Sequence, residues 1–233
     1  MNLNNKKIIV TGGSLGIGKA TAKLCVEKGA KVLITGRDQH RVETAAKDIG
    51  AIPMVFDISN ESQIKAKTKA CLEALGGIDA LINNAGIGEF GVLGDLTIKH
   101  FESVFNTNVF GLALLTQEVL PEFKAQKSGN IVNIGSTAAT KGFAHGTVYA
   151  ASKFAVRAMT QCWQAELRKD NIRVFLVNPS EVTTAFNQTD RNEKEIEANK
   201  LTPNEIAHVI VGNLEMDNRG FVPEINIWAT NPF

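Results

Sequence analysis

Lys7-Ile-Ile-Val-Thr11-Gly12-Gly13-Ser14-Leu15-Gly16-Ile17-Gly18 is the stretch on which the fold turns. A β-branched run passes straight into a glycine-rich loop. Lys19 to Lys28 then has helical composition and stops at Gly29, a residue suited to a helix C-terminus. Strand, glycine loop and helix in that order is the context a dinucleotide site needs. The glycines let the backbone approach a pyrophosphate, whose charge then lies at the positive end of the helix. The spacing is G-x-x-x-G-x-G (Gly12, Gly16, Gly18) rather than G-x-G-x-x-G. Taken alone, such a loop also serves a tight strand-to-helix turn that binds nothing.

Outward from this unit the pattern repeats. Strands are expected at Lys31–Thr35, Ile52–Phe56, Asp79–Asn83, Asn130–Ile134, Asn171–Val177 and Glu224–Trp228. Between them lie helical stretches: one up to Ile49, one capped by Asn60 and running through Leu75, and one from Thr97 to about Gln117, broken near Pro121. Ala150–Leu167 and a segment opening at Thr202-Pro203 are the last two. Alternation of this kind implies right-handed βαβ crossovers. We therefore expect an α/β chain, a single doubly wound, Rossmann-like domain over residues 1–233 with a mainly parallel seven-stranded sheet.

Composition narrows the function classes. Apolar residues make up 44% and charged residues 21%, ordinary for a globular chain with a full core. Net charge is +1 with no basic block, which argues against nucleic acid and membrane surfaces as partners. No apolar run approaches transmembrane length. Cys25, Cys71 and Cys162 are widely spaced within helical patterns and read as buried free thiols of a cytoplasmic protein. No metal-ligand spacing stands out.

The chemistry-bearing stretch is Tyr149-Ala-Ala-Ser-Lys153, which holds the only tyrosine of the chain. On a helix, positions i and i+4 share a face, so the Lys153 ammonium comes near the phenol. A free phenol has a pKa of about 10, and a nearby cation lowers it, which makes the tyrosine usable as a general acid or base. An ordinary helix face with a solvated lysine gives the same pattern. Polar residues also gather where the strands end: the glycine loop, Arg37, Asp57, Asn83-Asn84-Ala85-Gly86, Ser136 and Asn178-Pro179. In open parallel sheets that edge is where ligands bind.

With these motifs in hand, the chain resembles the short-chain dehydrogenase/reductase family in its compact form. Thr11-Gly12-(x3)-Gly16-Ile17-Gly18 is similar to its cofactor loop, Asn83-Asn84-Ala85-Gly86 to its sheet-stabilising motif, and Ser136 with Tyr149-(x3)-Lys153 to its catalytic signature. Asn108, within Asn106-Thr-Asn-Val-Phe-Gly111, matches the family's helix asparagine. The resemblance implies a catalytic set of Asn108, Ser136, Tyr149 and Lys153. Tyr149 would give a proton to a carbonyl oxygen as hydride arrives from a reduced nicotinamide, and Ser136 would hydrogen-bond that oxygen. Lys153 would lower the phenol's pKa and hold the nicotinamide ribose, and Asn108 would position a water. For cofactor binding it implies Gly12, Ser14, Leu15, Gly16, Ile17 and Gly18 in the loop, and Asp57 with Ile58 at the adenine. Asn84, Ala85 and Gly86 would lie at the adenosine-side ribose, and Pro179, Val182 and Thr184 at the carboxamide. The bland alternatives are a strand-end cap for Ser136 and pairing within its own helical turn for Asn108.

Arg37 and Asp38 bear on the cofactor. Asp38 stands where the general fingerprint places an acid for the ribose of NAD, and Arg37 beside it suits the 2′-phosphate of NADP. The strand delivers Gly36 to the adenosine, Arg37 follows, and Asp38 has a sufficient role as a helix cap, so NADP (NADPH) is expected over NAD. His145 is either a substrate contact or a solvated loop residue. Residues 185–200 are either a substrate lid or a solvated helix. Ser180 stands where the family has glycine, which would reshape the loop if φ > 0 were needed there. The C-terminal Phe221–Thr230 stretch lacks the family's Asp-Gly-Gly turn.

The resulting expectation is an NADP-dependent reductase of a small carbonyl or alcohol substrate, with a 3-ketoacyl thioester as the nearest specific guess. The alternative is a catalytically silent dinucleotide-binding regulator on the same fold. Surplus apolar faces on Val109–Leu115 and Phe154–Trp163 predict a homodimer or homotetramer.

Overall fold

β-Branched and leucine runs form the strands: β1 (Lys7–Val10), β2 (Lys31–Gly36), β3 (Ile52–Val55), β4 (Ala80–Asn83), β5 (Gly129–Ile134), β6 (Ile172–Pro179) and β7 (Glu224–Ile227). The structure, a computed structural model, describes residues 1–186, 190–193 and 195–232. All strand pairs are parallel, in the order β3-β2-β1-β4-β5-β6-β7. The order reverses between β1 and β4, and a crevice opens there beyond the carboxyl ends of the strands.

Both sheet faces are covered, which is why the central strands are almost continuously apolar. Ile8, Val10, Val32 and Ile34 point into one core, shared with helices α1 (Gly16–Glu27), α2 (Gln39–Ile49) and α7 (Pro203–Glu215). Ile9, Leu33, Leu81 and Ile131 point into the other, under α3 (Glu61–Leu75) and α5 (Leu112–Gln126). Helix α4 (Ile98–Phe105) and α6 (Thr147–Leu167) complete the set.

Several local expectations are corrected. Helix α1 begins at Gly16, so the last glycines of the loop belong to its first turn. Helix α6 begins at Thr147, which puts Tyr149 inside it. The helix expected from Thr97 is α4, a π-helical turn Asn106–Gly111, and α5, which runs through Pro121 without a break. Neighbouring packing sustains the helix where the proline lacks its N–H. Asn171 precedes β6 in the left-handed region (φ 57°), a conformation asparagine tolerates, and so lies outside the strand. Asn60 stands at the N-terminus of α3, but its Oδ1 accepts from Ser62 Oγ rather than from a backbone amide. Cys25 and Cys71 are buried, and burial pushes both thiols up to about 12, whereas Cys162 is exposed.

Candidate active site

The glycine loop is shaped by two steric demands. Gly16 has φ 51°, a left-handed conformation that costs other residues energy, and a Cβ there would lie 3.1 Å from Thr184 Cγ2. At Gly18 a Cβ would collide with the carbonyl oxygen of Gly12 and with Asn84 Nδ2. Asn84 is the clamp: its Nδ2 donates to the carbonyls of Thr11 and Gly12, both at 3.0 Å. Thr11 Oγ1 in return accepts from the amides of Asn84 and Ala85, also at 3.0 Å. The ends of β1 and β4 are thus locked to one another, and the N-terminus of α1 faces the cavity.

That cavity is about 780 Å³ and lies at the switch point. Gly12, Ser14, Leu15, Gly16, Ile17, Arg37, Asp57, Ile58, Asn84, Ala85 and Gly86 line one part of it. Ser136, Tyr149, Lys153, Pro179, Val182 and Thr184 line the rest. Gly18 and Asn108 support the wall from behind. At the β2 end, Asp38 caps α2: its Oδ1 accepts from the Arg41 amide at 2.8 Å, and Oδ2 lies 3.7 Å from Arg41 Nη2. Arg37 is exposed at the cavity rim.

The side chains around Tyr149 are held by elements far apart in sequence. Asn108 sits in the π-helical turn, a deviation that often re-aims a side chain at functional sites. Its amide closes a two-way bond with Ile87: Oδ1 accepts from the Ile87 N–H and Nδ2 donates to the Ile87 carbonyl, both at 2.9 Å. Nδ2 also reaches Ser152 Oγ at 3.0 Å. Pairing within its own turn is therefore not its role. Lys153 is buried, and its Nζ donates to the carbonyl of Ile134 at 2.9 Å, 5.7 Å from the centre of the Tyr149 ring. Ser136 does cap the short 3₁₀ turn Thr137–Ala139, accepting from the Ala138 amide at 3.1 Å. Its hydroxyl also neighbours the phenol in the cavity wall.

The electrostatics differ from the expectation that Lys153 lowers the phenol. Burial dominates and raises the Tyr149 pKa, and the Ser136 hydrogen bond pulls it partly back. Burial likewise lowers Lys153 to about 8, because an ammonium out of water is costly. A neutral phenol beside a lysine whose pKa is lowered is an arrangement that can exchange protons.

Three features add contacts that the sequence reading did not assign. A buried polar chain runs beneath β4 and β5: Asn83 Nδ2 donates to Thr116 Oγ1 and to Asn133 Oδ1, and Asn133 Nδ2 donates to Thr160 Oγ1. Asn178 ties β6 to its neighbours, accepting from the Ser136 amide at 3.2 Å and donating to Glu224 and Asn226 at 3.1 Å. Finally, Phe90, Phe143, Phe186, Arg41, Arg191 and Trp228 also line the cavity. Arg41 lies on α2, whereas Phe90, Phe143, Phe186 and Arg191 lie in segments with no periodic pattern.

Ser180 does not take a positive φ, and its amide continues the β6–β7 ladder to the Ile227 carbonyl at 2.8 Å, so serine costs nothing there. His145 is exposed and does not line the cavity; its carbonyl accepts from the Gly91 amide at 2.9 Å. Of the 185–200 segment, residues 187–189 and 194 lie outside the described residues, and the described remainder forms no helix. It lies over the cleft: the Gly16 N–H donates to Glu193 Oε1 at 2.7 Å, across 177 positions of chain.

A doubly wound parallel sheet whose switch-point cavity brings a tyrosine, a lysine and a serine together is the arrangement of a nucleotide-dependent oxidoreductase. Comparison with known proteins makes this particular: the chain belongs to the short chain dehydrogenase family, whose pattern matches residues 6–195. It is 33% identical over 237 aligned positions to a sepiapterin reductase of Chlorobaculum tepidum, covering 96% of each chain. Among solved structures it is similar to an alcohol dehydrogenase from Thermococcus sibiricus complexed with 5-hydroxy-NADP. There the TM-score is 0.89 at 26% identity, with 97% of both chains covered. A metagenomic short-chain oxidoreductase in complex with NADP superposes with a TM-score of 0.84 at 29% identity, covering 97% of this chain and 98% of that one. The protein is accordingly an enzyme rather than a silent regulator.

Proposed function

We propose that this enzyme reduces a carbonyl to an alcohol, or the reverse, with NADP as cofactor and Tyr149 as proton donor. Residues 1–233 would serve as one cofactor-binding and catalytic domain. The carrying observation is the group of Tyr149, Ser136 and Lys153 on one cavity wall, with the half-buried phenol beside the serine. The loop fits a dinucleotide: Gly16 and Gly18 leave no room for side chains, and the α1 amides face the cleft. When bound, the nicotinamide supplies or takes up the hydride.

The chain's own residues do the rest. The Ser136 hydroxyl and the phenol bracket one point in the cavity, where both can donate to a substrate oxygen. Tyr149 gives its proton to that oxygen as negative charge develops. Lys153, on the same helix face, stabilises the phenolate left behind and releases a proton readily because of its lowered pKa. Asn108 fixes the Ile87 backbone beside Gly86 and presents the route by which a water replaces the proton.

The β2 terminus supports NADP over NAD: Asp38 is occupied at the head of α2, while Arg37 lines the cavity. Two structural relatives hold NADP or its 5-hydroxy form. A 3-ketoacyl thioester would present the same kind of ketone to Ser136 and Tyr149. A charge-assisted hydrogen bond contributes about 1.5–3 kcal/mol, so Arg37→Ala is expected to lower kcat/KM for NADPH by roughly 10- to 150-fold, with little effect for NADH. Wild-type values equal for the two cofactors, or favouring NADH, would transfer the ribose role to Asp38.

Assembly is part of the proposal. Phe110 and Phe154 are 53% and 44% exposed on the faces expected to meet a partner, which supports a homodimer or homotetramer. Light scattering at micromolar concentration checks it, and a monomer refutes it. A cytoplasmic setting rests on the free thiols. Among the described residues, no helix is long and apolar enough to cross a membrane.

A further inference from the structure

Four aromatic rings crowd the mouth of the cavity around the reacting phenol. Phe90 lies 5.5 Å from Tyr149 between ring centres, Phe186 lies 5.6 Å from Tyr149 on another side, and Phe143 lies 6.2 Å from Phe90. The three pairs are tilted by 50°, 59° and 39°. The arrangement is built rather than incidental. A Cβ on Gly88 would lie 2.7 Å from Phe90 Cε2 and 3.1 Å from Phe186 Cε1, so the absence of a side chain at residue 88 is what lets both rings approach. A Cβ on Gly146 would meet the face of Phe143 in the same way. The loops that supply Phe90 and Phe143 are tied by the bond from the Gly91 amide to the His145 carbonyl.

These rings are not closed off like core residues. Phe90 is 43% exposed and Phe143 50%, and both line the cavity that holds the phenol, together with Trp228. Exposed aromatic surface beside a reacting group is a cost to the isolated chain that an apolar ligand removes. Charged side chains also stand at this end. Lys141 is exposed at the rim, and Glu181 is engaged with Lys200 at 2.8 Å. A long aliphatic chain needs a smooth channel, whereas tilted rings offer edges and faces that a flat π-system meets best.

Resting on the reductase reading above, we propose that the substrate is a ketone whose carbonyl is attached to an aromatic or other flat conjugated ring. Phe90, Phe143 and Phe186 form the sleeve that holds that ring while Tyr149 and Ser136 hold the oxygen. The carbonyl carbon gains the hydride and its oxygen gains the tyrosine proton, so the product is the aryl-substituted secondary alcohol. Phe90 and Phe143 are specificity residues rather than catalytic ones, since they grip the part of the molecule that does not react.

The test uses the full chain with NADPH and three substrates: 1-phenyl-1,2-propanedione, 2-octanone and acetoacetyl-coenzyme A. The aryl ketone is expected to have kcat/KM on the order of 10-fold or more above each of the others. Phe90→Leu and Phe143→Leu, made separately because both positions are half-exposed and tolerant, should each erode that preference several-fold through KM. Their Kd for NADPH should stay within about twofold of wild type, since aromatic sleeve and phosphate loop are distinct parts of the cavity. If 2-octanone or the thioester is reduced as well as the aryl ketone, this inference falls and the reductase reading stands. If the aryl preference survives both substitutions, the sleeve is not its cause and the inference likewise falls. If none of the three is reduced, the hydride-transfer reading fails first, and the substrate class with it.

Discussion

Two halves of the same cavity are built on opposite plans. The floor, at the ends of β1, β4 and β5, is polar, buried and closed by short hydrogen bonds. Thr11 with Asn84, Asn108 with Ile87, and Asn83 with Asn133 and Thr160 are bonded across long stretches of sequence, although Asn83 Oδ1 itself has no partner. The rim, made by the loops around Phe90 and Phe143 and by the described residues of 180–200, is aromatic or charged and partly exposed, with irregular backbone. The difference teaches a division of labour. Reaction chemistry needs atoms placed to fractions of an ångström, which rigid elements and fully paired polar groups provide. Choice of substrate needs surface that differs from one enzyme to the next, and loops vary without disturbing the sheet.

The comparison can be broken first at the floor. Tyr149→Phe preserves the ring packing against Phe90 and Phe186 and removes only the proton donor. Turnover is expected to fall by about 10²–10⁴-fold with NADPH binding unchanged, measured by steady-state kinetics beside fluorescence titration. Near wild-type turnover would remove Tyr149 from the mechanism.

A second intervention asks whether the floor holds strain for function. Lys153 has its folded pKa lowered to about 8 from an ordinary 10.5. Between those two values the unfolded chain binds more protons than the folded one, so the wild type gains stability as pH rises through about 8 to 10.5. Below about 8 the buried ammonium costs the fold its full penalty. Lys153→Met removes that penalty and also the bond to the Ile134 carbonyl. It is expected to stabilise the protein at pH 7 by up to about 3 kcal/mol while turnover collapses. The stability difference should shrink as pH rises above 8. Thermal melts of both proteins from pH 6 to 10 read this directly, and a gap independent of pH would contradict it.

The smallest expected effect sharpens the boundary between the halves. Glu193 reaches from the rim and places its carboxylate on the Gly16 amide, where the cofactor's pyrophosphate is expected to lie. Two anions repel one another at one helix N-terminus, so Glu193→Gln should tighten NADPH binding by about 3- to 10-fold. Isothermal titration checks it. Weaker binding in the variant would mean that Glu193 supports the loop rather than competing for it.

Much of the floor was legible beforehand because its signals are local. A β-branched run, a glycine loop and a helix follow one another within about 20 positions, and Tyr149 with Lys153 is an i, i+4 pair that any helix brings to one face. Asp38 as a cap and Arg37 at the rim were readable for the same reason. The misreadings came where packing overrides propensity. Helix α5 runs through Pro121, and Ser180 sits without strain where glycine was expected. Cys162 lies on an exposed helix face, which a periodicity argument could not assign with apolar residues on several sides.

The chain's own order of residues determined the alternating α/β architecture, the glycine loop and the candidate set of Asn108, Ser136, Tyr149 and Lys153, because hydrophobic period and motif spacing are properties of neighbours in sequence. Only the tertiary structure decided what those residues experience. Burial raises the Tyr149 phenol and lowers Lys153, and the Ile87 backbone rather than its own helix binds Asn108. Rings from residues 90, 143 and 186 converge on one phenol. Desolvation and long-range contact depend on which loops the folded sheet brings together, and no pattern within a single loop carries that information.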